Sequence, residues 1–148
     1  MIGLKESKHE KLDVDDLNFD NNIYDGFAAY SNSKLANILF TRELAKRLKN
    51  TTAYCLHPGV IETEITRNFN KVFQIASGTI MWPIKKIFLK SCWEGAQTTI
   101  FCAIDKSLDG ITGRYYADCQ EAKLLNPKAE NDELAKKLWE KSAEIVQI

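Results

Sequence analysis

No proline or glycine interrupts the stretch from Phe27 to Leu48. Within it Leu35, Ile38, Leu39, Ala45 and Leu48 recur at three- and four-residue steps, the spacing of one apolar stripe on an α-helix. Glu43, Lys46 and Arg47 supply charge to the other face. Asp25 is placed to cap the start, and Asn50 to stop the helix. Directly afterwards Thr51–His57 is rich in β-formers and is ended by Pro58-Gly59. A long amphipathic helix followed by a short buried strand is half of a βαβ unit, so the chain is predicted to be α/β with a parallel sheet.

The flanking segments fill in this outline. Residues 5–22 are polar and acidic and read as a solvated connector. Residues 64–92 are the most apolar part of the chain. Gly78 and Pro83 break them, which predicts two short helices around a bend. They read equally well as plain core or as a lid over an apolar ligand. Residues 94–104 read as a helix, Asp109-Gly110 as a turn and 113–117 as a last strand. Asn126-Pro127 breaks the chain. Asn131 then caps a final helix with Asp132 and Glu133 in its first turn, where acids suit the helix dipole. Leu134, Leu138, Trp139 and Ile145 give that helix an apolar face.

Composition narrows the function classes. The 148 residues suffice for one domain with a core, and 45% hydrophobic with 27% charged residues is ordinary for a globular protein. Twenty basic residues balance twenty acidic ones, so no global field favours nucleic acid or an anionic membrane. Cys55, Cys92, Cys102 and Cys119 form no Cys-x-x-Cys pair, and three of them lie in apolar segments where a free thiol packs as a small hydrophobe. This predicts a reducing compartment and neither disulfide nor metal use. His9 and His57 are too far apart to argue a site. No segment reaches the ~18–20 consecutive apolar residues of a membrane span. The first residues lack the apolar core of a signal peptide, so secretion is not expected.

Tyr30 and Lys34 are four apart on the predicted helix and so share one face. A free phenol, with a pKa near ~10, is a poor base at neutral pH. A cation within ~4–6 Å favours the phenolate, and Lys34 is placed to supply that charge. A phenol so placed can give or take a hydroxyl proton while hydride moves at carbon. Taken alone, the pair reads as an aromatic beside a surface lysine.

The surrounding residues favour chemistry. The run Ala29-Tyr30-Ser31-Asn32-Ser33-Lys34-Leu35-Ala36-Asn37, followed by His57-Pro58-Gly59-Val60-Ile61-Glu62-Thr63, resembles the catalytic and nicotinamide-contacting segments of the short-chain dehydrogenase/reductase family. The run Ser33–Leu44, Asp15-Asp16-Leu17-Asn18, Gly113–Cys119 and Asp132–Trp139 resemble its retinol dehydrogenase-like branch. The likeness spans residues 12–146.

The resemblance implies a Rossmann-like, doubly wound parallel sheet, represented by its C-terminal half. It implies Tyr30 as general acid/base and Lys34 as the residue that activates it and holds the nicotinamide ribose. Pro58, Gly59, Val60, Ile61 and Thr63 would line the nicotinamide pocket. Gly59 lets backbone approach a flat ring closely, and the Thr63 hydroxyl can donate to and accept from a carboxamide. Ile65, Phe69, Phe73, Met81 and Trp82 would form the substrate wall. The cofactor would be NADP(H) in preference to NAD(H). The substrate would be a small apolar alcohol or carbonyl compound, a retinoid or lipid aldehyde.

The chain also departs from the family. It has no Gly-rich turn to cradle a pyrophosphate. The strand bearing the family's catalytic serine is absent, and Ser7 is the nearest stand-in, in a charged context. The chain is therefore expected to be a single incomplete domain. The first reading is an NAD(P)-dependent oxidoreductase, on the cytosolic side of an intracellular membrane (endoplasmic reticulum or mitochondrion) or in the cytoplasm. The second is a catalytically inactive fragment that acts only as a binding module. The third is a plain α/β module whose motif is accidental. A homodimer through helices 27–48 and 94–105, and membrane contact through an upstream segment or residues 75–90, are further expectations.

Overall fold

The computed structural model describes residues 12–61 and 89–147. In chain order these form α1 (Gly26–Arg47), β1 (Cys55–His57), α2 (Cys92–Ile104), a 3-10 turn (Lys106–Leu108), β2 (Tyr115–Ala117), β3 (Gln120–Glu121), a second 3-10 turn (Pro127–Glu130) and α3 (Asp132–Val146). The fold is α/β, as expected. The strands lie in the order β1-β2-β3. The Gly113 N–H donates to the Ala53 carbonyl at 2.8 Å and the Cys55 N–H to the Arg114 carbonyl at 3.1 Å. Both partners advance together, which is the parallel sense.

The chain divides into two compact units: Met1–Cys55 with Gly110–Tyr115 and Lys123–Ile148, and Leu56–Asp109 with Tyr116–Ala122. In the first unit α1 begins where its cap predicts. The Asp25 carboxylate accepts the Ala28 N–H at 2.7 Å, and Lys46 and Arg47 end the helix on the side that favours cations. Leu35 and Leu39 pack with Val14, Ala129, Ala135 and Leu138 in one core. Asn131 caps α3 by accepting the Leu134 N–H at 2.9 Å. Arg42 and Lys46 of α1 reach Asp132 at 3.1 and 2.9 Å. Hydrogen bonds from Lys46 and then Arg42 hold the Asp132 carboxyl below the usual range. The Trp139 ring stacks on Phe40 with centroids 5.0 Å apart, and the Arg47 guanidinium lies 4.7 Å from its centroid.

Three expectations change in this unit. The acidic stretch is more than a solvated connector from residue 12 on: Val14 belongs to the core, and Asp16 is buried. The Asp16 carboxylate accepts the Asp20 N–H at 2.6 Å, the Asn22 side-chain amide at 2.6 Å and the Asn21 N–H at 3.1 Å. Burial alone would raise its pKa, but the Asn22 bond and the backbone bonds outweigh it and hold the group below the usual range. Glu43 is also buried rather than on the charged face, and accepts from Arg47 at 2.7 and 2.9 Å. Ile145 is not on the packed face of α3; it is 56% exposed.

In the second unit α2 starts on a capping box. The Glu94 N–H donates to Ser91 Oγ at 3.2 Å, and the Ser91 N–H donates back to Glu94 Oε2 at 2.8 Å. Tyr116 and Thr98 are fully buried, and Phe101 meets the Tyr116 ring edge-on at 6.0 Å. β2 and β3 pair antiparallel, with Tyr116 opposite Glu121 and Ala117 opposite Gln120. Asp118 and Cys119 turn the hairpin with φ of 52° and 57°, as a two-residue type I′ turn requires. The strand at 113–117 is therefore followed by another. Cys92, expected to pack, is exposed with Cys119. Burial, then the neighbouring Cys119, pushes the Cys102 thiol up. Among the described residues no helix is long and apolar enough to cross a membrane.

Candidate active site

Helix α1 presents Tyr30 and Lys34 together. The Lys34 ammonium lies 5.2 Å from the Tyr30 ring centroid, within cation–π range. The arrangement follows from the apolar stripe. Leu35 and Leu39 anchor one face of α1 in the core, which turns Tyr30 and Lys34 outward. Tyr30 is 62% exposed, and Ile23, Tyr24 and Phe27 just before it are exposed as well. Ser33 bonds back to the Tyr30 carbonyl at 2.7 Å, so its hydroxyl is spent within the helix.

Pro58, Gly59, Val60 and Ile61 follow β1 in the second unit. Gly59 has φ +90°, a conformation L side chains rarely adopt. A Cβ there would sit 2.8 Å from Lys90 Cδ. The Gly59 N–H donates to His57 Nδ1 at 2.8 Å. The Lys90 N–H donates to the Val60 carbonyl at 2.8 Å, and Ile61 and Lys90 form a parallel bridge. The Ile61 side chain presses on α2 where Gly95 stands, so closely that a Cβ on Gly95 would fall 2.3 Å from Ile61 Cδ1. Val60 is half exposed.

Thr63, Ile65, Phe69, Phe73, Met81 and Trp82 lie outside the described residues, as does Ser7. Lys90, Gly95 and Thr98, which lie around the Pro58-Gly59 segment, carry no motif of their own, and Asp118 belongs to the Gly113–Cys119 run. The one available signal was Gly95, a glycine in an otherwise helical pattern, which often marks close packing. Among the described residues no group of three His, Cys, Asp or Glu could hold a metal ion.

No protein-family model matches the chain. Retinol dehydrogenase 12 of Bos taurus is 41% identical over 152 residues, covering 100% of this chain and 46% of its own length. Retinol dehydrogenase 14 of Mus musculus is 39% identical over 150 residues, again covering 100% of this chain and 44% of itself. A crystal structure of an uncharacterised protein from Mycobacterium paratuberculosis superposes with a TM-score of 0.62 at 23% identity, over 95% of this chain and 48% of that one. That likeness carries the fold alone. The chain thus spans under half the length of the curated relatives it matches.

An α/β fold with parallel strands, a helix bearing Tyr30 and Lys34 one turn apart, and similarity to these dehydrogenases along the whole chain define a class: the chain resembles the short-chain dehydrogenase/reductase family. Within it, the likeness is to the retinol dehydrogenases.

Proposed function

We propose that this chain carries the proton-transfer and nicotinamide-contacting part of an NAD(P)-dependent oxidoreductase that interconverts an apolar alcohol and its aldehyde or ketone. The observation that carries the reading is the exposed Tyr30 with Lys34 5.2 Å from its ring. In the oxidative direction the Tyr30 phenolate takes the hydroxyl proton as the carbinol C–H bond breaks; in reduction the neutral phenol gives that proton to the carbonyl oxygen and becomes the phenolate. The nicotinamide, when bound, accepts or supplies the hydride. Lys34 places positive charge beside the phenolate as it forms and donates hydrogen bonds to the ribose hydroxyls. Pro58, Gly59, Val60 and Ile61 are assigned to the nicotinamide pocket by the family likeness, and Val60 has a half-exposed apolar side chain there. Thr63 is assigned to the carboxamide, and Ile65, Phe69, Phe73, Met81 and Trp82 to the substrate wall.

The finer assignments rest on the family likeness: NADP(H) before NAD(H), a retinoid or lipid aldehyde as substrate, and residence in the cytoplasm or on the cytosolic face of an intracellular membrane. The pyrophosphate is assigned to a Gly-rich segment that this sequence does not contain, and the chain to one part of a single dinucleotide-binding fold. The alternative, a binding module without turnover, is favoured by that missing turn.

Steady-state kinetics with aldehydes of increasing chain length separates the two. The expected result is a kcat/KM that rises with length, and a preference for NADPH over NADH of about tenfold, the effect of ~1.4 kcal/mol in binding. An absence of turnover with both cofactors would leave the binding module.

A homodimer is proposed on a separate observation. Trp93 and Ile104 of α2 are 72% and 74% exposed, with exposed Ile100 between them. Their spacing places them along one helix face, which suits an isologous two-fold contact. Sedimentation velocity should show a dimer for the native chain and a monomer for Trp93→Ser/Ile104→Lys. A native monomer at micromolar concentration would end this proposal.

A further inference from the structure

An ion pair reaches across the Pro58-Gly59 segment. The Lys90 side chain crosses Gly59 so closely that a Cβ there would lie 2.9 Å from its Cε and 3.2 Å from its Nζ. Its ammonium then pairs with the Asp118 carboxylate. Asp118 stands at the first corner of the β2–β3 turn, in a left-handed conformation with φ 52° that Asp tolerates better than most residues. The next residue ties this turn to α2: the Cys119 N–H donates to Thr98 Oγ1 at 3.3 Å, and Thr98 is buried. One turn earlier on α2, Gly95 receives the Ile61 side chain. The contacts therefore close a ring from Gly59 through Lys90, Asp118 and Thr98 back to Ile61. The backbone of residue 90 adds its hydrogen bond to Val60.

We infer that Lys90, held by Asp118, is a positioning residue: it sets the backbone of residues 58–61 at the height where that backbone meets the nicotinamide. The inference rests on the functional reading above and goes beyond it, because neither residue belongs to the motif that points to catalysis. Two features argue for positioning rather than mere packing. The lysine stem lies against the one residue of the segment that has a positive φ, where backbone is easiest to displace. The charge at its tip is neutralised by a carboxylate on a different element, so the stem has a fixed direction. A side chain at residue 59 would meet the strained φ of +90° and displace the Lys90 stem.

Three single variants and one double variant test this in the full chain. Lys90→Met keeps the stem and removes the charge, Asp118→Asn keeps the shape and removes the charge, and Lys90→Arg keeps the pair. The first two should raise KM for the nicotinamide cofactor roughly three- to fivefold, the scale of a partly exposed ion pair, with kcat within about twofold. The Lys90→Met/Asp118→Asn double variant should be no worse than either single one, and Lys90→Arg should stay near the native value. Amide hydrogen exchange at positions 59 and 90 should quicken in the two charge-removing variants, with α1 unchanged. Quickened exchange with an unchanged KM would overturn the inference, since the fixed segment would then not face the cofactor. Unchanged exchange and unchanged KM would overturn it too. A native protein that neither binds nor turns over nicotinamide cofactors would instead overturn the functional reading, before any variant is compared.

Discussion

Replacing Tyr30 by phenylalanine should lower kcat by about 10²–10⁴-fold, the range over which a positioned acid or base contributes. The ring remains, so its packing and its contact with Lys34 are kept; only the hydroxyl that moves the proton is lost. Tyr30 is largely exposed and helical, and no buried partner is orphaned by its removal. The fold should therefore be untouched, and cofactor affinity, measured by isothermal titration calorimetry, should stay within about twofold because the loss falls on the transition state. Lys34→Ala should differ, weakening cofactor binding and turnover together, because Lys34 serves both. A Tyr30→Phe protein that kept a tenth of the native kcat would remove Tyr30 from the reaction.

Leu39→Ala should cost about 2–5 kcal/mol of stability, the usual range for truncating a buried leucine. Leu39 is fully buried at the centre of the cluster formed by α1, α3 and Val14. Small proteins are stable by roughly 5–15 kcal/mol, so this one change removes a large fraction. The same stripe turns Tyr30 and Lys34 outward, so activity should fall with the folded population. Urea unfolding of the variant, beside Leu39→Met, measures the effect; the methionine should cost under ~1.5 kcal/mol because volume is kept. Ile104→Ala on the open face of α2 should stay within ~0.5 kcal/mol in the monomer. A Leu39→Ala loss below ~1 kcal/mol would mean that α1 is not packed as described.

What could be read from the sequence was mostly local. The cap at Asp25, the stripe through Leu35 and Leu39, and the Asn131 start of α3 all act within one or two turns, and each lies where the pattern put it. Tyr30 and Lys34 were legible for the same reason, since a four-residue step on a helix fixes a shared face. Strands were legible in kind more than in extent: residues 51–57 and 113–117 contain β1 and β2, but pairing, which is tertiary, trims them to 55–57 and 115–117. β3 escaped notice because Gln120 and Glu121 are polar and the turn before them carries no glycine. Asp16 and Glu43 were counted as solvated charge. Their burial depends on partners that a charge tally does not weigh: a ring of backbone and amide donors for one, an arginine one turn away for the other. Lys90 and Asp118 are joined only through the fold, so no spacing could have paired them.

The stack of Phe40, Trp139 and Arg47 gives the molecule an optical handle. An indole pressed on another ring, with a guanidinium over it, emits differently from one in water, and this one sits where α1 meets α3. Trp93, by contrast, is largely exposed on α2. In a protein carrying Trp82→Phe and Trp93→Phe, emission would come from Trp139 alone. Its wavelength would follow the docking of the helix that carries Tyr30 and Lys34, so a cuvette and a lamp would report whether that helix is seated before any turnover is attempted.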